Sequence, residues 1–335
     1  MQSIGTDQEA VPAPFTVTQN LADILRHIAD TSQSDPDNRR WKGWWWIDAL
    51  CIIQTEDDPE KDRQVKFMPT TYSNVAEVYA WIGPSTTETD TAMRYIDQRS
   101  HVPHSILEER DLLYAECWRQ FPEVAYVVCE VFNRPYWRRL WIIQELSMSS
   151  NTTIACGLSE LPLQALHDYA DEVIEMESEK LASTSLERAY ERVRETGAVV
   201  ELAMTYRRQE SGMYLADLID RSSDSVCGMD KKDYIRALLG LVGRGQGLHI
   251  DASQHQCPCS IITAAMQAMT QDINPQCIHD IASKSRYEED IRKAGSSTAT
   301  TSNHMGTYCD DYEEALSMCR RIALLICADS YCECG

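Results

Sequence analysis

The stretch Arg134–Leu146, RPYWRRLWIIQEL, gathers three aromatic rings, three arginines and one carboxylate. Read as a helix entered at Pro135, it places Trp137, Trp141 and Glu145 at i, i+4 and i+8, on one face. A carboxylate following two indoles along a helix has two readings. It is a buried structural acid paired with Arg134, Arg138 or Arg139, or it is an acid tuned for chemistry. The residues alone leave both open. For Trp137 and Trp141 the plain reading is core packing. The three arginines suit either internal ion pairs or a pyrophosphate.

Around this stretch, short apolar runs alternate with helical patterns. Asn151–Gly157, NTTIACG, reads as a strand closed by Gly157, and VYAWIG as another ended by Gly83-Pro84. WWWIDALCII, with its β-branched and aromatic content, reads as a buried strand. Asp48 interrupts that run, so it must find a partner or face a cleft at a strand end; its plain reading is a capping or helix-anchoring carboxylate. Asp58-Pro59 starts a helix in which Pro69 predicts a kink or break. TETDTAMRYIDQRS is a helix with Ala92, Met93 and Ile96 inward, and residues 105–133 are mostly helical with a break at Pro122. Such alternation implies a parallel α/β sheet flanked by helices. Ligands of open α/β sheets bind beyond the carboxyl ends of the strands, which makes Asp48 and Gln54 candidate pocket residues.

The segments further out are simpler. Residues 1–14 read as a flexible leader, and TVTQNLADILRHIAD as a helix with Leu21, Ile24, Leu25 and Ile28 in a stripe and Asn20 as its cap. From Leu161 to about Arg208 the pattern is helical and charged, with a long exposed helix expected over EVIEMESEKLASTSLERAYERVRE. YLADLIDRSS, DKKDYIRALLGLVGRG and SIITAAMQAMTQDI are further helices, followed by a Ser/Thr-rich loop. The divisions are a leader at 1–14, an α/β domain at 15–160, a helical extension at 161–250 and a Cys-containing tail at 251–335.

Composition narrows the function. With 31 basic against 52 acidic residues among 335, the net charge is -21. Such a surface repels phosphate backbones, so nucleic-acid binding is not expected. No apolar run approaches the roughly 20 residues that span a bilayer, and the N-terminus has no signal-peptide pattern. A soluble cytoplasmic protein is expected, with its 13 cysteines mostly reduced. No CxxC pair exists, and His255, Cys257 and Cys259 lack zinc spacing, so no metal is expected. There is no GxGxxG or GxxxxGK loop, which leaves dehydrogenase or NTPase activity unsupported and no cofactor expected.

Three ordered blocks together resemble the fungal heterokaryon incompatibility (HET) domain. They are WWWIDALCIIQTEDDPEKDRQVKFMPTTYSNVAEVYAWIG, FNRPYWRRLWIIQELSMSSNTTIACG and DKKDYIRALLGLVG. In the last, Asp233, Ala237, Leu238, Leu239, Gly240 and Leu241 match the family's pattern, with Arg236 in place of its tyrosine. The family's opening strand, with a Ser-Tyr-x-Trp-Gly element, has no counterpart in the leader, so a sheet lacking its first strand is expected. HET domains are similar in turn to TIR domains, which have a flavodoxin-like parallel sheet. Trp141-Ile142-Ile143-Gln144-Glu145-Leu146 keeps the spacing of the TIR Trp-Cys-x-x-Glu-Leu element. The resemblance implies a self-associating module of non-self recognition and regulated cell death, with further copies or other incompatibility proteins as partners. It also implies an alternative: an NAD glycohydrolase with Glu145 as the catalytic acid, NAD as substrate, and Asp48, Gln54, Trp141 and Arg138 lining the site.

Overall fold

A computed structural model describes residues 16–35, 38–55, 58–101, 117–118, 120–175, 184–209, 212–213, 215–222 and 236–242. The expected leader, the helix over SIITAAMQAMTQDI, the Ser/Thr-rich loop and the cysteine tail lie outside them. The chain divides into two compact units, Met1–Trp45 and Trp46–Gly335.

In the first unit, helix α1 spans Gln19–Ser34 and buries Leu21 and Ile24. Its cap is Thr18, not Asn20: the Thr18 hydroxyl accepts from the Leu21 N–H at 3.3 Å. A one-turn helix, α2 (Arg39–Lys42), follows. Its buried Trp41 stacks on Trp45 at 5.6 Å and meets His27 edge-on at 5.3 Å.

WWWIDALCII, which runs from the end of the first unit into the second, is not the strand its content predicts. Residues 44–47 are irregular, and Asp48–Cys51 form a short helix, α3. Asp48 is the first residue of that helix, after the N-cap Ile47, and its carboxylate accepts from the Ala49 N–H at 2.7 Å. Trp44 is fully solvent-exposed, and only Ile52 of the run is well buried. Helix α4 (Pro59–Asn74) is capped by Asp58, with Pro59 at its first position as expected. It runs through Pro69 without a break, and buries Met68 and Tyr72.

Strand β1 (Val78–Gly83) leads to helix α5 (Thr87–Ser100), which buries Ala92, Met93 and Ile96. Thr86 and Thr89 close a reciprocal capping box at its start. Helix α6 (Pro122–Phe132) begins at the expected break. The decisive stretch is then divided: a 3₁₀ turn over Pro135–Arg138, an extended Arg139, and helix α7 (Ile142–Met148). The shared face of Trp137, Trp141 and Glu145 is therefore not formed. Local anchors override the periodicity. The Trp137 indole N–H bonds to the Val131 carbonyl at 2.8 Å, and the turn buries Tyr136, Trp137 and Leu140 at once. Behind the turn, Ile142, Ile143 and Leu146 are wholly buried, each worth roughly 1.5–3 kcal/mol of transfer energy.

Strand β2 (Thr152–Cys156) pairs with β1 in parallel, from Val78 opposite Thr152 to Gly83 opposite Cys156. A third strand, β3 (Ser159–Pro162), pairs with β2 antiparallel. The sheet is thus mixed, in the order β1-β2-β3, and not wholly parallel. The hairpin turns at Gly157, whose φ of 57° suits glycine; a Cβ there would stand 2.3 Å from Ser85 Oγ. Helices α8 (Leu163–Ile174), α9 (Thr184–Arg208) and α10 (Leu215–Ser222) complete the described elements, with a helical stretch at 236–239. Of the stretch expected to be a long exposed helix, residues 176–183 lie outside those described, and the part within α9 is not exposed. Leu186, Ala189, Tyr190 and Val193 are buried, as are Val199, Val200, Leu202 and Ala203 further along, and α9 packs against α6, α7 and α8. Among the described residues the unit is mostly helical around a small mixed sheet. No described helix is long and apolar enough to cross a membrane.

Candidate functional site

Glu145 lies in the first turn of α7 and is 8% exposed. Its two oxygens have different partners. Oε2 accepts from the Tyr136 hydroxyl at 2.9 Å, and Oε1 lies 3.7 Å from Arg139 Nη2. The same Arg139 nitrogen reaches Asp48 Oδ2 at 3.4 Å. The break at Arg139 creates this arrangement: the 3₁₀ turn aims Tyr136 back at Glu145, and the extended residue swings the guanidinium between two carboxylates. Tyr72, buried on α4, completes the group from another side. Its phenol is pushed up by burial and by the charges of Glu145 and Asp48.

The electrostatics follow from burial. Desolvation pushes the Glu145 carboxyl above its usual range, Arg139 and the Tyr136 bond pull it back, and Asp48 pushes it up again. Chiefly because of Glu145, Arg139 holds its proton still more tightly than usual. Tyr136 is raised well above an ordinary phenol, first by burial and then by Glu145. The result is an acid in a nearly dry setting, tied to the surface through a half-exposed arginine.

The structure brings Asp48 to Glu145, leaves Gln54 and Arg138 bonded elsewhere, and packs Trp141 against the cluster that holds Tyr72. Gln54 turns its amide onto its own loop, donating to the carbonyls of Ile52 at 2.9 Å and Asp48 at 3.2 Å. Trp141 is half-buried between the main core and a second cluster of Ile52, Met68, Tyr72 and Val78. Arg138 is exposed and bonds Asn133 Oδ1 at 3.1 Å. It lines a cavity of about 20 Å³ with Phe132, Asn133, Trp137, Arg192, Glu195 and Thr196, room for one water. Of the three arginines, Arg139 alone meets Glu145. Spacing missed Tyr136 and Tyr72. The available signal was chemical: a tyrosine inside a buried turn needs a partner for its hydroxyl. No group of three metal-ligating side chains occurs among the described residues.

A second polar cluster was not foreseen. His167, buried on α8, meets Glu201 Oε2 through Nε2 at 2.6 Å and Asp168 Oδ1 through Nδ1 at 3.1 Å. Glu201 Oε1 also accepts from Thr205 and Arg208.

The family described as Heterokaryon incompatibility protein (HET) matches residues 2–145 of the chain, ending at the acid itself. It is similar to heterokaryon incompatibility protein 6, OR allele, of Neurospora crassa, at 29% identity over 189 residues. That likeness covers 47% of this chain and 26% of the relative, so the chain spans about a quarter of the length of the curated protein it matches. No solved structure matches.

Proposed function

We propose that this chain acts in heterokaryon incompatibility, as a self-associating signalling module in non-self recognition that leads to death of fused cells. The HET match over residues 2–145 carries the reading. The name of the Neurospora relative supports it. So does the way Glu145 is held, since a nearly buried acid hydrogen-bonded to Tyr136 and ion-paired with Arg139 suits a structural anchor of the domain. Partners would be further copies of the chain or other incompatibility proteins. The test is inducible expression of the full chain in a fungal host, with sedimentation of the purified protein over a range of concentrations. Killing together with concentration-dependent assembly is expected. A protein that stays monomeric at every concentration while still killing would overturn the self-association reading.

One observation favours a second reading. Asp48 and Glu145 meet around one arginine, with Tyr136 and Tyr72 beside them, and burial perturbs the acid. In this reading the domain is a TIR-like NAD glycohydrolase. The bond between ribose C1′ and the nicotinamide nitrogen breaks, nicotinamide leaves with the bonding electrons as a neutral molecule, and water adds to C1′ and gives up a proton to solvent. An ionised Glu145 would stabilise the oxocarbenium-like charge, Arg139 would face the pyrophosphate, and Trp141 would wall the site. Nicotinamide release by the full chain, compared with Glu145→Ala, decides it. Equal release by both would sink the assignment.

A further inference from the structure

The buried amide of Gln144 neighbours Glu145 on α7, yet it points away from the acid cluster. Its Nε2 donates to the Ala237 carbonyl at 2.7 Å and approaches that of Arg236 at 3.5 Å. Gln144 is 1% exposed, so this bond forms in a dry place where a lost donor is costly. Residues 236–242 are held at three further points. Arg236 lies 4.0 Å from Asp62 of α4, the Met213 N–H bonds to the Leu241 carbonyl at 3.3 Å, and Gly240 abuts Pro69 of α4. A Cβ added at Gly240 would stand 2.6 Å from Pro69 Cγ and 2.8 Å from Gln144 Nε2. The segment therefore touches both helices that supply the acid cluster: α4, which carries Tyr72, and α7, which carries Glu145.

We infer that residues 236–242 act as a clamp on the acid cluster, and that Gln144 is a positioning residue that fixes α7 relative to α4, and so sets the distance of Glu145 from Tyr72 and Arg139. This explains two sequence features together. The glutamine before the acid is the handle that grips the Ala237 backbone carbonyl, and the glycine leaves room for Pro69. The interior proline of α4 gains a role too. Its ring fills the space where Gly240 has no side chain. The inference rests on the second reading above, in which the Glu145 cluster is the working centre of the domain.

The test uses the full chain, labelled with ¹³C in glutamate side chains, with the Glu145 resonance assigned by its loss in Glu145→Gln. Gly240→Ala pushes the segment off Pro69 and is expected to shift the midpoint of Glu145 by half a pH unit or more. Pro69→Ala in the same chain removes the obstructing ring and is expected to restore most of that shift. Gly197→Ala is the control. Its Cβ would meet Ile174 Cδ1 at 2.7 Å, a clash in another part of the core, and it should leave the midpoint unmoved. If Gly240→Ala does not fold, Gln144→Met keeps the volume and loses the donor, and the same shift is expected. An unmoved Glu145 midpoint in a folded variant, or an equal shift in Gly197→Ala, overturns the clamp. Nicotinamide release is followed in parallel. No release by the unaltered chain would count against hydrolysis, while the titration still decides the clamp.

Discussion

Arg139 and His167 each stand between two carboxylates, yet the two clusters are built in opposite senses. At Arg139 the cation is the exposed member, its side chain 48% accessible, and the acid Glu145 is buried at 10%. At His167 the cation is buried at 9%, and its acid Glu201 is 40% accessible. Burial raises the Glu145 carboxyl in spite of its arginine. Burial alone would lower His167, but its bonds to Glu201 and Asp168 prevail and its value is raised. So desolvation wins in the first cluster and partnership wins in the second. The difference is a matter of which member water still reaches. An acid sealed behind an exposed partner carries unrelieved charge, whereas a sealed imidazole bonded at both nitrogens is well satisfied.

The largest expected effect tests the first cluster. Arg139→Met leaves Glu145 buried beside Asp48 with no cation. Removing one partner of a fully buried pair costs roughly 3–5 kcal/mol. Solvent screening at the half-exposed Arg139 brings the expected loss to about 2 kcal/mol at pH 7. Urea unfolding measures it. The loss should shrink at pH 5, because a Glu145 without its arginine takes up a proton more readily. An equal loss at both pH values would break the claim that burial dominates here. Arg138→Met, exposed and bonded to Asn133, should change stability by less than about 0.5 kcal/mol.

The second cluster predicts a smaller effect with a defined pH window. His167 has a folded value above its unfolded one, so its contribution is complete below the ordinary histidine range. It is lost as pH rises through the raised folded value. Glu201 is lowered by its bonds to Thr205 and His167 and by the Arg208 charge, against the opposing pull of burial. Its contribution is present above the carboxylate range and lost as pH falls. His167→Gln should cost about 1 kcal/mol at pH 6 and almost nothing at pH 9, read from melting temperatures at the two pH values. A cost that does not change with pH would mean the imidazole acts there as a neutral packing group.

The same contrast explains what could be read from the chain. Helices α1, α4 and α5 and strands β1 and β2 follow from stripes, caps and β-branched runs that lie within each segment. The failures came where distant partners decide. The tryptophan-rich run looks like a strand by content, but Asp48–Cys51 form a one-turn helix with the acid at its first position. The break at Arg139 depends on an anchor at Val131, and the buried face of α9 on three other helices. Strand β3, four residues with a proline, carries too little pattern of its own. At the site, Glu145 and Asp48 were legible as acids inside apolar runs. The choice of Arg139 over Arg134 and Arg138 was not, because it follows from the turn.

The effect at Glu145 itself is small but the most discriminating, because its pH dependence matters more than its size. Glu145→Gln removes the buried charge, keeps the side-chain volume and leaves an oxygen to accept from Tyr136. Losing the arginine pair and losing the burial cost oppose each other, so the change at pH 7 should stay within about 1 kcal/mol of the unaltered chain. The pH profile separates the two terms. Because Glu145 is raised in the folded state, the unaltered chain binds the extra proton when folded. Its stability should fall as pH rises from the ordinary carboxylate range through the raised value. In Glu145→Gln that fall should be missing, and the curves should converge or cross above it. A variant that is several kcal/mol weaker at pH 7 would show that the ionised carboxylate is the bridge that holds Arg139. The two clusters would then be alike, and the case for an acid under strain would be gone.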